Sequence, residues 1–330
     1  MIVGFVLSVA AAVVPTGMYA LAFYWADRYE REPVWLALAA FLWGAIPAIV
    51  VSLIAELAAG APFVDAPGSV AEALVESAVV APIVEEVAKA MALVAIAVFM
   101  HREFDGVLDG LTYGALIGFG FAMTENFFYF LGAFGEGGVG GLVALVYLRA
   151  ILFGLNHAFY TGLTGIGFGL GRESRRRLWR YLLPMAGLIA AIGVHSVHNA
   201  GSSLASVAPA AMLLTLLVAG GGIAVTLLAV ALSWQRERAW IRAELAPEVG
   251  ALISADEYRS LVERWRPPAR GTPASAVGEK RRRHLCVELA LSKRRLRNLG
   301  AADDPSLPDR IEQLRSAIAE TYAPASTSVA

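Results

Sequence analysis

The chain has 330 residues, of which 57% are hydrophobic and 17% charged, and its net charge at pH 7 is −1. This composition excludes a disordered segment and an ordinary soluble domain, and it is typical of a membrane protein. The single cysteine, Cys286, excludes an internal disulfide and a cysteine-based zinc site.

Seven apolar stretches are each long enough to cross a hydrocarbon core of about 30 Å. They cover residues 2–25, 34–59, 73–100, 107–133, 141–170, 181–203 and 207–234. The first has no Lys or Arg before Arg28 and is too long for the apolar part of a signal peptide, so we interpret it as a span. The sequence predicts an all-α fold, a polytopic membrane bundle of about seven transmembrane helices.

Positive charge alternates between the loops that join these spans. Loops with arginine alternate with loops that have neither lysine nor arginine: 26–33, 101–106 and 171–180 against 60–72, 134–140 and 204–206. Because cytoplasmic loops are enriched in Lys and Arg, this pattern predicts a multi-pass protein of the cell membrane with its N-terminus outside and its C-terminus in the cytoplasm.

A basic, polar tail follows the last span. Residues 1–234 contain 10 Lys and Arg against 15 Asp and Glu, whereas residues 235–330 contain 17 against 13. We therefore predict a membrane domain over 1–234 and a partly helical cytoplasmic tail over 235–330. The predicted tail elements are helices at 236–252, 254–265, 280–299 and 309–322, and a Pro-rich linker at 267–273. Two basic runs, 280–283 and 293–297, indicate a solvated helix face near anionic lipid rather than a nucleic-acid site.

The third and fourth spans carry acids at membrane depth. Glu85 and Lys89 are four residues apart and can pair on one helix face, whereas Glu86 needs another partner. The fourth span has a glycine every four residues, a ridge that a neighbouring helix can approach closely: Gly106, Gly110, Gly114 and Gly118. Glu125 follows Gly118 by seven residues on nearly the same face, so we expect it to point at a partner helix.

The fifth and sixth spans carry imidazoles. His157 lies in the fifth span; in the sixth, His195 and Asn199 share a helix face that His198 borders. The ionisable groups of all four helices lie roughly 8–16 residues from the outer helix ends, hence between the midplane and the outer leaflet. Such groups are costly in hydrocarbon and normally mark function, so their common depth indicates one site.

The residue types that are absent from these four helices exclude several catalytic mechanisms. The layer of ionisable groups offers no plausible serine or cysteine nucleophile, and neither Gly-x-Ser-x-Gly nor His-Glu-x-x-His occurs. Acid–base hydrolysis through an activated water remains, with a carboxylate as base and His or Asn donors for the oxyanion. The same residue types can hold a divalent metal such as zinc with a position open for water. Both schemes stay open at this point.

Four motifs in chain order resemble those of the PrsW family of intramembrane proteases. They are Glu85-Glu86-x-x-Lys89, Phe121-x-x-x-Glu125-Asn126, Asn156-His157-Ala-Phe-Tyr-Thr and His195-x-x-x-Asn199. Asp27-Arg-Tyr-Glu-Arg-Glu-Pro33 is similar to the family's signature after the first helix, and the resemblance covers roughly residues 15–205. It implies an endopeptidase; family members are associated with site-1 cleavage of membrane-anchored anti-sigma factors. His198 departs from the family pattern, in which an apolar or aromatic residue is expected.

We expect Glu86 to be the general base, with Glu85 and Lys89 setting its charge and position, and Glu85 is the alternative base. We expect Glu125 and His157 to hold the water or a metal, and His195 and Asn199 to stabilise the oxyanion. Asn126 and His198 are expected to support these catalytic residues. A metal would be held by Glu86, Glu125, His157 and His195.

Two other classes of function fit intramembrane acids and histidines. An ion- or proton-coupled transporter also uses such relays, but the sequence has no evident inverted repeat with paired broken helices. A non-catalytic scaffold would not need every motif to be intact. The expected partners are a membrane-anchored protein substrate and the lipid bilayer, and no nucleic acid is expected.

Overall fold

The computed structural model describes residues 2–26, 32–58, 70–101, 103–262, 273–300 and 304–321, and these form an all-α fold, as predicted. The helices are α1 (Ile2–Tyr24), α2 (Val34–Trp43), α3 (Ile49–Ala58), α4 (Val70–Val75), α5 (Ala81–Phe99), α6 (Val107–Val146), α7 (Asn156–Glu173), α8 (Trp179–Leu204), α9 (Met212–Leu245), α10 (Ala255–Val262), α11 (Pro273–Leu299) and α12 (Leu307–Glu320). Three π-helical segments lie between them: Gly44–Ala48, Glu76–Val80 and Tyr147–Leu152. The chain divides into two compact units at Val230 and Ala231.

Five helical stretches of the described residues are long and apolar enough to cross a membrane. They are Ile2–Tyr24, Val34–Ala58, Val107–Glu173, Trp179–Leu204 and Pro209–Glu248. The stretch from 70 to 99 is not among them, and it contains the Glu85, Glu86 and Lys89 charges. The protein is a multi-pass membrane bundle, and the count of seven spans stays a prediction.

The long stretch Val107–Glu173 is a helical hairpin. The backbone leaves the helical region at Gly138, which has a φ of 58°, a conformation that favours glycine. Beyond it the chain runs back along α6, because Arg149 Nε donates a 2.8 Å hydrogen bond to Asn126 Oδ1, 23 residues earlier. The fifth predicted helix, 141–170, is not continuous: a turn at 153–155 interrupts it immediately before α7.

The predicted glycine ridge packs against α7. A Cβ at Gly110 would overlap the backbone of Gly165, and a Cβ at Gly114 would come within 2.5 Å of Thr161 O. Gly118 meets the carbonyl of His157 in the same way. These contacts step four residues at a time in opposite directions along the two helices and fix the position of His157 against α6. The predicted helix ridge is confirmed for these three glycines and is wrong for Gly106, which precedes α6 in an extended conformation.

The signature after the first helix ends in an anchoring residue. Tyr113 of α6 donates its hydroxyl to the buried carboxylate of Glu32, and Tyr24 of α1 donates to the backbone carbonyl of Glu32 at 3.0 Å. Glu32 therefore ties the ends of α1 and α2 to the helix that carries Glu125. Residues 27–31 of the signature lie outside the described residues.

The second unit has its own hydrophobic core, built from the last turns of α9 and from α10, α11 and α12. Ile241, Leu245, Leu289, Leu314 and Ile318 are among its buried residues. The prediction of separate helices at 207–234 and 236–252 is wrong, because α9 continues to Leu245. Residues 232–240 contain neither glycine nor proline, so nothing in the chain ends the helix where polarity changes. The predicted linker lies outside the described residues except for Pro273, which begins α11.

The basic runs of the tail are partly used in internal ion pairs. Arg282 is buried and binds Glu257 at 2.6 Å, while Lys293 binds Glu248 at 2.6 Å. Arg297 also pairs with Glu244 at 2.8 Å, but its side chain is 57% exposed. The prediction that these runs form a solvated face is therefore wrong for Arg282 and Lys293.

Candidate functional site

The charged group on α5 is buried and compact. Lys89 Nζ donates to Glu86 Oε1 at 2.8 Å and to Glu85 Oε2 at 3.0 Å. Thr161 Oγ1 of α7 donates to the second oxygen of Glu86 at 3.0 Å. The side chain of Glu86 is 0% exposed and that of Glu85 is 10% exposed. Both oxygens of Glu86 are therefore engaged, whereas Glu85 is the carboxylate that solvent can reach.

His157, at the start of α7, connects this group to α6. Its Nε2 lies 2.9 Å from Glu125 Oε2, and its Nδ1 lies 3.3 Å from Lys89 Nζ. An ionised carboxylate only accepts hydrogen bonds and an ammonium group only donates them. The two contacts together assign the hydrogen to Nε2 and leave the lone pair of Nδ1 facing the α5 group.

Arg149 holds Glu125 from the other side, although it was not among the predicted site residues. Its Nη2 lies 2.8 Å from Glu125 Oε2, its Nε donates to Asn126, and its guanidinium lies 3.9 Å from the ring centre of Tyr129. The hairpin at Gly138 produces this contact. The sequence signal was an arginine inside an apolar stretch, but its partner is 24 residues earlier in the chain.

α8 contributes one residue to the cluster itself and two beside it. His195 Nδ1 lies 3.1 Å from Glu86 Oε1, and its ring stacks on Tyr160 with centroids 4.6 Å apart. Asn199 Nδ2 donates instead to Ser77 O, 2.8 Å away in the π-helical segment Glu76–Val80. His198 Nδ1 lies 3.0 Å from Asn156 Nδ2. Among the described contacts, neither Asn199 nor His198 reaches Glu86.

Four of these side chains could hold a metal together. One ligand atom from each of Glu85, Glu86, His157 and His195 lies within 4.8 Å of the others. Two carboxylates and two imidazoles are a suitable donor set for zinc or a similar divalent ion. Glu125 contacts the opposite nitrogen of His157, a position that in metal sites orients the ligand histidine. The geometry thus groups Glu85, in place of Glu125, with the other three expected ligands.

A cavity of about 290 Å³ lies beside the cluster. Its lining includes Glu125, His157, Tyr160 and His195, together with polar groups of the Glu76–Val80 segment and of α8. The Tyr160 hydroxyl is buried and, within the described residues, makes no well-formed hydrogen bond, although it interacts with the Asn156 side chain. The cavity therefore has a polar wall that includes the hydroxyl of Tyr160.

One further acid faces the site and was missed in the sequence. Glu56 on α3 is half-buried and interacts electrostatically with Glu85, Glu125 and Lys89. An isolated acid within the apolar stretch 34–59 was the signal that pointed to it.

The chain is similar to bacterial proteins named Protease PrsW. The protein of Geobacillus kaustophilus (strain HTA426) is 33% identical over 181 residues, which cover 53% of this chain and 74% of that protein. The protein of Bacillus subtilis (strain 168) is 29% identical over 50% of this chain and 69% of that protein. That of Oceanobacillus iheyensis is 22% identical over 58% of this chain and 82% of that protein. No solved structure matches.

A family model described as PrsW family intramembrane metalloprotease matches residues 32–234. The match covers more than half of the chain and contains the four helices that form the cluster. The chain therefore belongs to the PrsW family of intramembrane metalloproteases, and it is a membrane-embedded endopeptidase.

Proposed function

We propose that the chain hydrolyses a peptide bond of a membrane-anchored protein at the cluster formed by α5, α6, α7 and α8. The observation that carries this proposal is the direct contact of Glu86 with His195 and of Glu125 with His157, beside a polar cavity. Contacts between carboxylates and imidazoles from four helices are what hydrolysis through an activated water requires.

Glu85 is the general base in this proposal. One of its oxygens accepts from Lys89, and its side chain is 10% exposed, so the other oxygen can accept a proton from water. Glu86 is fully enclosed, and Lys89, Thr161 and His195 all contact it. These contacts favour Glu86 as the anchor of the cluster, which reverses the roles expected from the sequence.

Glu85, Glu86, His157 and His195 would hold the metal that the family description implies. Such an ion, when bound, supplies a Lewis acid that polarises the peptide carbonyl and acidifies water. Glu125, with Arg149 behind it, keeps the hydrogen of His157 on Nε2, so that Nδ1 stays available to the cluster.

The oxyanion needs donors that are already oriented before reaction. The Tyr160 hydroxyl, whose ring stacks on His195, lines the cavity and can supply one such donor. The Asn199 amide donates to Ser77, so we assign it to the wall of the cavity rather than to the oxyanion.

The substrate that we propose is a protein held by a membrane-spanning segment and cleaved in the outer half of the bilayer. An anti-sigma factor is the class that the resemblance implies. The alternating loop charges support the corresponding orientation, with an external N-terminus and a cytoplasmic tail.

The test is cleavage of a membrane-tethered fluorogenic substrate by the purified full-length protein in proteoliposomes. We expect cleavage by the wild type and none by Glu85→Gln, with ion flux absent from both. Flux without cleavage would instead establish a transporter. The absence of both cleavage and flux would contradict an active site in this layer.

A further inference from the structure

The ammonium group of Lys89 contacts three of the four candidate metal ligands. Its Nζ is 2.8 Å from Glu86 Oε1, 3.0 Å from Glu85 Oε2 and 3.3 Å from His157 Nδ1. An ammonium group has three hydrogens to donate. All three are thus directed at members of the ligand set, and the fourth member, His195, contacts the same Glu86 oxygen.

The surroundings of Lys89 hold the ammonium at this position. The side chain is 0% exposed, and Nζ lies 3.7 Å from the ring centre of Phe121, which attracts a cation. Nothing else on α5 balances the two carboxylates, and Lys89 is the only lysine before residue 280. This internal cation therefore offsets one of the two negative charges, in the place where a bound ion would offset both.

A divalent ion would compete with this ammonium for the same atoms. An ion held by Glu85, Glu86 and His157 would use lone pairs that now accept the hydrogens of Lys89, and two cations in one buried cluster repel strongly. Resting on the metal role of the proposed function, we propose that Lys89 is a tethered competitor that fills the metal position, and that it must swing out of the cluster before a divalent ion binds.

A purely structural ion pair predicts the opposite effect of mutation. If Lys89 only organised the ligands, removing it would separate Glu85 from Glu86 and weaken metal binding. If it competes, a neutral side chain of similar length frees the centre and strengthens binding. The direction of the change in affinity separates the two.

The experiment measures Zn²⁺ affinity of the full-length protein in detergent by competition with a chromogenic chelator. We expect Lys89→Met to bind Zn²⁺ about tenfold more tightly than the wild type, or more, because like-charge repulsion is removed. Lys89→Arg keeps the cation and should show no gain. Lys280→Met, at an exposed site of the tail, is the matched control and should bind like the wild type. Adding Glu86→Gln to Lys89→Met should abolish the gain in Zn²⁺ affinity, which would show that the additional binding occurs at the cluster.

Equal or weaker binding by Lys89→Met would overturn the proposal. If that variant unfolds without metal, its thermal transition is followed with and without Zn²⁺. A larger Zn²⁺-dependent rise than in the wild type supports competition, and no rise overturns it. If neither the wild type nor the variants bind Zn²⁺, and the wild type still cleaves in the presence of a chelator, this inference is overturned and the proposed hydrolysis is left intact. Tighter Zn²⁺ binding by Lys89→Met, together with no cleavage by the wild type, would support this inference and contradict the proposed hydrolysis.

Discussion

Glu125 Oε2 lies 2.9 Å from His157 Nε2, a contact between two helices that fixes which ring nitrogen of His157 faces the cluster. Glu125→Gln removes the charge that favours the hydrogen on Nε2 and leaves Arg149 without its carboxylate. We expect kcat/KM to fall about 10–100-fold, the usual effect of losing the partner that orients a ligand histidine. The measurement is cleavage of the tethered substrate.

The control for this change is Glu136→Gln, an exposed position of the same helix, which should cleave like the wild type. Full activity of Glu125→Gln would show that His157 keeps its orientation without Glu125.

The glycine ridge on α6 predicts a steric effect at one position and none at another. A Cβ at Gly118 would overlap the backbone carbonyl of His157, whereas a Cβ at Gly132 meets nothing within 4 Å. Gly118→Ala should lower the free energy of unfolding by about 1–3 kcal/mol, typical of overpacking, and should reduce cleavage by moving His157. Thermal unfolding in detergent measures the first effect, and equal stability of Gly118→Ala and Gly132→Ala would contradict the packing.

The two adjacent acids of α5 should differ in what they stabilise. Glu85→Gln should abolish cleavage with little loss of stability, because Glu85 makes one contact with Lys89 and is partly exposed. Glu86→Gln should abolish cleavage and also lower stability by about 3–5 kcal/mol, the cost of breaking a buried ion pair. Unfolding and cleavage are measured on the same preparations. Equal stability of the two variants would remove the distinction between base and anchor.

The tail should lose stability in acid through Glu248. Burial raises the pKa of this carboxyl, but hydrogen bonds from Arg315 and Lys293 outweigh burial and bring the pKa below its usual range. A lowered folded-state pKa means that the stabilisation is complete above the unfolded pKa of about 4.3 and is lost as the pH falls through the folded value. Exchange of the fully buried Cys286 with 2,2′-dithiodipyridine, a disulfide that still reacts with thiols in acid, reports unfolding of the tail.

We expect the wild-type tail to become accessible to the reagent at lower denaturant concentration as the pH falls below about 4.3. Glu248→Gln should be less stable at neutral pH and should depend less on pH in this range. Glu320→Gln, at an exposed position of α12, should follow the wild type. An unchanged pH profile in Glu248→Gln would contradict the role of these pairs.

The features that the sequence predicted best depend on spacing along single helices. The glycines at 110, 114 and 118 and the position of Glu125 follow from helical periodicity, and so does the pairing of Glu85 with Lys89. The contacts that sequence reasoning did not find depend on how distant segments meet. Arg149 reaches Glu125 only because the chain reverses at Gly138, and Asn199 turns towards Ser77 because a π-helical segment presents that carbonyl.

The assignment of Glu85 and Glu86 also needed three dimensions. The two residues are both glutamates and are adjacent on one helix, so the sequence does not distinguish them. Only the contacts of Thr161 and His195 with Glu86 do. The tail differs for another reason. Its charge runs looked solvated, but Arg282 and Lys293 are paired with acids that are distant in the sequence.

The most direct test of a single hydrolytic site is a double-mutant cycle between Glu125 and His157, measured as kcat/KM for the tethered substrate. Glu125→Gln and His157→Ala each remove one part of the same machinery, and residues that act as a unit are strongly non-additive. We expect kcat/KM of the double variant to be no lower than that of the less active single variant. A loss equal to the product of the two single losses would contradict it, because the two residues would then act independently.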